Sequence, residues 1–260
     1  SADLATFRLR GKVELNDAGV QLPSSHVVVE GATGTVPFEE AFSIDATHGV
    51  RLVVAGESSP FARARAAESQ PFLSQDGTLS VRRVRWKGTE LAPVVANLAL
   101  EPNRFSLSRL KAEHGNARIS GQLFVDFRPG EEVVTFRGTL TGLERKGAAV
   151  PLDANAAFTF VPRRLELDGR VQVVRTSKEH LLDLLDVVDP HREVGSLNTV
   201  RSAMAFGFPR EAQLSFADGL LSMDIAFGGL ASLVDVGTVR GVSLGPFFNR
   251  YVAPALGSSP

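Results

Sequence analysis

Apolar and polar positions alternate with a period of two through most of the chain, as expected of half-buried β-strands whose successive side chains point to opposite faces. Over residues 118–127, Ile119, Gly121, Leu123, Val125 and Phe127 share one face, while Arg118, Ser120, Gln122 and Asp126 lie opposite. The next run sets Val134, Phe136, Gly138 and Leu140 against Val133, Thr135, Arg137 and Thr139. Pro129-Gly130 between the two runs predicts the turn of an antiparallel hairpin. The same grammar recurs in Phe7, Leu9, Val13 and Leu15, in Leu79 and Val81 after Asp76-Gly77, and in Phe105 and Leu107 before His114-Gly115. Further on, Leu165, Leu167, Gly169, Val171 and Val173 line one face, and Leu214 and Phe216 lead through Asp218-Gly219 to Leu221, Met223, Ile225 and Phe227. About a dozen strands at roughly 8 to 12 residue spacing predict a mainly β protein with an extended antiparallel sheet.

Two segments break the alternation. Residues 56–75 carry Pro60, Pro71 and small polar residues without a sustained period, which predicts a loop insertion. Thr176-Ser177-Lys178-Glu179 has the S/T-x-x-E form of a capping box, in which cap hydroxyl and third-position Glu satisfy each other's free backbone donors. Leu181, Leu184, Leu185 and Val188 follow on one helical face, and Asp189-Pro190 ends the run because the residue before proline avoids the α region. Val194, Leu197, Val200 and Met204 predict a second amphipathic helix ending near Gly207-Phe208-Pro209. The expected organisation is a β segment over 1–176, a helical pair within 177–208 packed on the sheet, and C-terminal strands with a terminal cap over 209–260.

Composition narrows the function classes. Hydrophobic residues are 43% and charged residues 22% of the 260, enough apolar surface for a folded core. The formal net charge of -1, from 28 basic and 29 acidic side chains, offers no global field for a polyanion, so nucleic acid is not an expected partner. There is no cysteine, which removes disulfides, thiolate metal sites and a cysteine nucleophile together. No run approaches the roughly 18 to 20 apolar residues that cross a bilayer as a helix. The start, Ser1-Ala2-Asp3-Leu4, has neither Met nor a signal-like run, as expected of a mature segment or part of a longer chain.

Chemical motifs are sparse. His26, His48, His114, His180 and His191 have no metal-ligand spacing and read as turn, surface and helix-end residues. Asp183, Asp186 and Asp189 read as a solvated helix face opposite the leucines. No G-x-S-x-G elbow occurs, and Gly237, Gly241 and Gly245 lack the Lys-Ser/Thr ending of a phosphate loop, which leaves loop or close-packed backbone. Arg82, Arg83, Arg85 and Lys87 around Trp86 form the densest basic cluster, suited to an anionic headgroup or nucleic-acid contact, or to a charged strand that resists aggregation. Phe247, Phe248 and Tyr251 suit a terminal cap or a junction with further sequence. No catalytic residue, metal or cofactor is expected.

Residues 79–145, with the succession Leu-x-Leu-x-x-Leu, the turn at His114-Gly115 and then Ile119-Ser120-Gly121-Gln122-Leu123, resemble the repeat of AsmA-like envelope proteins of the TamB and YdbH type. The stretch with LLDLLDVVDP, a second helix and a strand closing at Asp218-Gly219-Leu220-Leu221 is similar to C-terminal regions of some members. The resemblance covers about two thirds of the chain and brings no catalytic signature. It implies a curled, open β-groove held in the periplasm of a Gram-negative envelope. Full-length members carry an inner-membrane anchor and further repeats, and conduct phospholipid toward the outer membrane, where a partner is possible.

On that reading the apolar face, Ile119, Leu123, Val125, Phe127, Val134, Phe136, Leu140, Leu165, Leu167, Val171, Leu214, Phe216, Met223, Ile225 and Phe227, lines the groove for phospholipid or another acyl-chain lipid. Leu181, Leu184, Leu185 and Val188 are expected to cover it. The same residues suit the core of a closed sandwich or barrel. A structural module aiding export of outer-membrane proteins or polymers, by pairing strand edges with a client, is the alternative role. At roughly 4.8 Å per strand a dozen strands make a track on the order of 55 Å, short for a complete envelope bridge.

Overall fold

The computed structural model describes residues 5–22, 26–45, 49–52, 77–86, 88–101, 103–128, 132–233 and 237–252. The 56–75 insertion, the Pro129-Gly130 turn, Lys87, and the side chains of Phe7, Leu9 and Tyr251 lie outside the described residues. Among those described, fourteen strands form one sheet. In chain order they are β1 (Ala5–Leu22), β2 (Val27–Asp45), β3 (Gly49–Leu52), β4 (Gly77–Trp86), β5 (Thr89–Leu91), β6 (Val94–Glu101) and β7 (Arg104–His114). They continue as β8 (Ala117–Asp126), β9 (Val133–Leu143), β10 (Leu152–Val161), β11 (Glu166–Arg175), β12 (Gly207–Ala217), β13 (Leu220–Gly229) and β14 (Thr238–Ser243). Neighbours follow one another from β1 to β14 as an antiparallel meander, with β3 on β2, β5 on β4, and one parallel contact between Phe38 and Leu100. The sheet is open: β1 and β14 end the path and do not pair with each other.

Local chemistry explains the turns and the curl. Asp218 and Gly219 both take positive φ, 51° and 72°, the two-residue turn whose twist matches the strands it joins. Register slips between Val95 and Asn97, Leu107 and Leu110, Leu152 and Ala154, and Pro209 and Glu211 mark bulges, each of which bends its strand. At the centre, Gly121 pairs with Gly138 and Gly138 with Ala156, so three successive strands carry almost no side chain on the same row. A Cβ on Gly121 would lie 2.3 Å from the Arg137 carbonyl oxygen, so the strands approach more closely there than any other residue permits.

Helices occupy the apolar face of the C-terminal half. α1 (Lys178–Val188) and α2 (Gly195–Ala203) bury Leu181, Leu185, Leu197 and Val200 to 1% exposure or less against Val173, Ala212, Leu214, Met223 and Ile225. Each such leucine stabilises by about 1.5–3 kcal/mol relative to an exposed one. A short helical turn at Gly245–Phe247 carries Phe248 onto Phe160, rings stacked 5.8 Å apart, so the terminal aromatics close the far end of the same core.

Several details differ from the sequence reading. α1 starts one residue later than the expected box: Ser177 is the cap, and its hydroxyl lies 2.9 Å from Nδ1 of His180 instead of bonding a backbone donor. Gly207, Phe208 and Pro209 do not end α2 but open β12. Asp189 is not solvated; it is 6% exposed and accepts from the backbone N–H of Glu193 and Val194 and from Arg201. Asp126, expected on the wet face, is fully buried because Arg128 folds back on it, Nη2 donating at 2.7 Å and Nε at 3.0 Å. Beside it Phe124, on the face opposite Leu123, is 8% exposed under the Arg104 guanidinium, so that face also carries a small packed patch.

Candidate functional site

The strand register arranges the apolar face in rows that cross the sheet. One runs Leu107, Leu123, Phe136, Phe158, Gly169, Phe216, Leu221; its neighbour runs Leu110, Gly121, Gly138, Ala156, Val171, Leu214, Met223. A third runs Ala112, Ile119, Leu140, Ala154, Val173, Ala212, Ile225. Where the rows are thinned to Gly138, Ala154 and Ala156, the sheet leaves room beneath α1. A cavity of about 380 Å³ fills that room. β8 to β12 make its floor, and His180, Leu181 and Leu184 of α1 make its roof.

The cavity wall is almost wholly apolar. His180 is the polar side chain of its wall, the Thr139 hydroxyl being on the opposite face against Ser120, and His180 is held on both ring nitrogens, by the Ser177 hydroxyl at 2.9 Å and the Leu143 carbonyl at 3.1 Å. The imidazole therefore fixes the first turn of α1 to the end of β9 and presents its ring, not a free donor, to the cavity. Such a wall suits an apolar guest and gives no purchase to a charged one.

The predicted lining residues separate into three groups. Ile119, Phe136, Leu140, Val171, Leu214 and Phe216 line the cavity, with Leu181 and Leu184 above them. Leu123, Val125 and Val134 lie on the same face beyond it and are half-buried. Met223 and Ile225, at 0% and 7% exposure, are sealed under the helices together with Leu185 and Val188, and Leu165, Leu167 and Phe227 pack against that core. These residues are packed core and not a free surface. Phe127 departs altogether: it follows the last residue of β8, its N–H bonds Asn103, and it is 43% exposed.

β10 supplies Leu152, Ala154 and Ala156 to the cavity, and sequence reasoning missed that strand. Its signal was present, since Leu152, Ala154, Ala156, Phe158 and Phe160 alternate with Asp153, Asn155 and Thr159, but alanine gives that alternation little contrast.

The charged candidates have partners. Arg82 pairs with Asp17, Arg83 with Glu30 and Glu90, and Arg85 with Glu30, so the cluster is a set of ion pairs across β1, β2, β4 and β5. Arg145 and Asp183 form an exposed pair that raises the guanidinium above its usual value, chiefly through their hydrogen bond. Gly237 is close-packed, its would-be Cβ 2.1 Å from the Ile225 carbonyl oxygen. Among the described residues no three His, Asp or Glu side chains gather as metal ligands, and no helix is long and apolar enough to cross a membrane.

No family model, curated protein or solved structure matches this chain.

Proposed function

We propose that the chain is a non-enzymatic, lipid-holding segment of an AsmA-like envelope protein, and that its cavity and the adjoining face of β7 to β9 take phospholipid acyl chains. The observation that carries the reading is the 380 Å³ apolar cavity whose wall passes by register into half-buried Leu123, Val125 and Val134. Each methylene buried there stabilises by about 0.8 kcal/mol, so an acyl chain is retained without a charged residue. The headgroup stays outside, because the wall offers no cation. In this proposal the full-length protein adds an inner-membrane anchor and further repeats, and conducts phospholipid through the periplasm toward the outer membrane.

Native mass spectrometry of gently purified protein tests the reading. Phospholipid adducts, exchangeable with added lipid, are the expected result. Protein that carries no lipid and accepts none removes the support. The alternative assembly role would use the outer edges of β1 and β14, which no other described strand pairs. Photo-crosslinking separates the two: probes at Leu123 or Phe136 capture lipid under the first, and probes along those edges capture protein under the second.

A further inference from the structure

Phe206 and Leu230, at 67% each, are the most exposed large apolar side chains among the described residues, and Phe208 follows at 54%. They stand together. The Leu230 N–H donates to the Phe206 carbonyl at 3.2 Å, and Phe208 pairs with Gly228 across β12 and β13. Val150 and Val174, 37% and 46% exposed, line the same surface depression of about 890 Å³. Contiguous apolar exposure of this kind marks an interaction site and not scatter.

The patch is held rigidly. A Cβ on Gly228 would lie 2.6 Å from the Phe208 ring, so the ring rests on bare backbone, and the Arg210 guanidinium carbon lies 5.6 Å from the ring centroid. Gly207 is fixed in the same way against Ala231, where a Cβ would meet the Ala231 side chain at 2.5 Å. The aromatics are therefore presented outward by a packed strand pair.

The charge around the patch has one dominant sign. Arg175, Lys178 and Arg210 line the depression against a single acidic residue, Glu179. Arg175 is paired with Asp153 at 2.7 Å, and the Glu179 carboxyl is held below its ordinary range, chiefly by its own backbone N–H and with help from the neighbouring Lys178 cation. Lys178 acts on its neighbour Glu179, and the Arg210 guanidinium lies against the Phe208 ring, so cations outnumber carboxylates in the lining of the depression. Apolar and aromatic side chains flanked by an excess of cations match the boundary of an anionic bilayer, where rings sit at headgroup depth and cations meet phosphates.

We propose that Phe206, Phe208 and Leu230, with Lys178 and Arg210, form a docking surface for an anionic phospholipid bilayer. The first turn of α1 separates this surface from the acyl cavity: Ser177, Lys178 and Glu179 face the patch, and His180 and Leu181 face the cavity. Docking brings the covered end of the sheet within one helical turn of a membrane.

Co-sedimentation with vesicles of equal parts phosphatidylglycerol and phosphatidylcholine tests it, with phosphatidylcholine alone as control. The wild-type chain is expected to sediment with the mixed vesicles and not with the control. Phe206→Ser combined with Leu230→Ser abolishes binding while thermal unfolding stays unchanged, since both side chains are exposed. Lys178→Gln with Arg210→Gln weakens binding on the order of 10- to 30-fold at low salt. Absence of binding to the mixed vesicles overturns the proposal, as does binding that neither double variant alters. Concentration-dependent self-association abolished by Phe206→Ser with Leu230→Ser, in place of vesicle binding, overturns it in favour of a protein contact. Native mass spectra of the same variants keep the two readings apart, because acyl loading of the cavity should survive the loss of docking, and docking does not require a loaded cavity.

Discussion

Arg201 and Asp189 meet at 3.1 Å with side chains 9% and 6% exposed, and the same guanidinium donates to the carbonyls of Leu185 and Asp189 at 2.9 Å each. One helix thus satisfies the last carbonyls of the other, and the carboxylate in turn accepts the N–H groups that lead into α2. Arg201, which also pairs with Asp186 at 3.3 Å, thus fastens the two helices over the cavity. Replacing Arg201 by Met leaves Asp189 buried without its cation and is expected to cost about 3–5 kcal/mol of stability. Chemical denaturation of the variant measures this directly.

The same carboxylate sets an acid limit. Burial on its own would raise the Asp189 pKa, but the hydrogen bonds from Glu193, Arg201 and Val194 outweigh it and hold the group below its ordinary 3.8. A folded-state pKa below the unfolded one gives stability that is present above the unfolded value and is lost as pH falls through the folded one. Unfolding midpoints are therefore expected to drop below about pH 4, where the unfolded carboxylate begins to bind protons. Asp189→Asn should be less stable at neutral pH and flatter across that acid range. A wild-type stability that does not fall in acid more steeply than that of Asp189→Asn would contradict this assignment.

Much of this architecture is legible from alternation alone, because a sheet with one apolar face writes its pleat into every second residue. Strands β8, β9, β11, β12 and β13 follow directly from that pattern, and the i, i+3, i+4, i+7 spacing of Leu181, Leu184, Leu185 and Val188 gives α1. The cavity could not be read in the same way. It exists where side chains are missing, at Gly138, Ala154 and Ala156, and small residues register weakly in any hydrophobic pattern. Nor does periodicity tell Met223 from Leu123: both are apolar residues on the same face, and only the position of α1 and α2 decides that one is sealed and the other is not. Asp126 and Asp189 are illegible for a related reason, since burial of each depends on an arginine whose direction the sequence does not specify.

That distinction between sealed and open positions gives a paired test. Phe136→Asp puts a carboxylate on a half-buried wall beside the cavity, where water can still reach it, and is expected to lose lipid while keeping its fold. Met223→Asp puts the same charge at a site with 0% exposure and is expected to prevent folding, because an unpaired buried charge costs several kcal/mol. Circular dichroism with native mass spectra of both proteins checks the contrast. Equal loss of fold in the two would mean that Phe136 belongs to a sealed core.

Filling the void should work in the opposite direction. Ala156 sits between Gly138 and Val171 on the row that floors the cavity. Ala156→Leu adds three carbons into that space, occupying it with protein and burying apolar area that adds to stability, at about 25 cal/mol per Å². The variant is expected to unfold at a temperature equal to or above that of the wild type and to hold less lipid. Gly121→Val is the matched control: its side chain would collide with the Arg137 carbonyl and the Gly138 Cα, 2.3 and 2.7 Å from the added Cβ, so the strands must part and stability falls by about 1–3 kcal/mol or more. If Ala156→Leu lost stability as Gly121→Val does, the space under α1 would be too small to admit even a leucine side chain, and an acyl chain could not enter it.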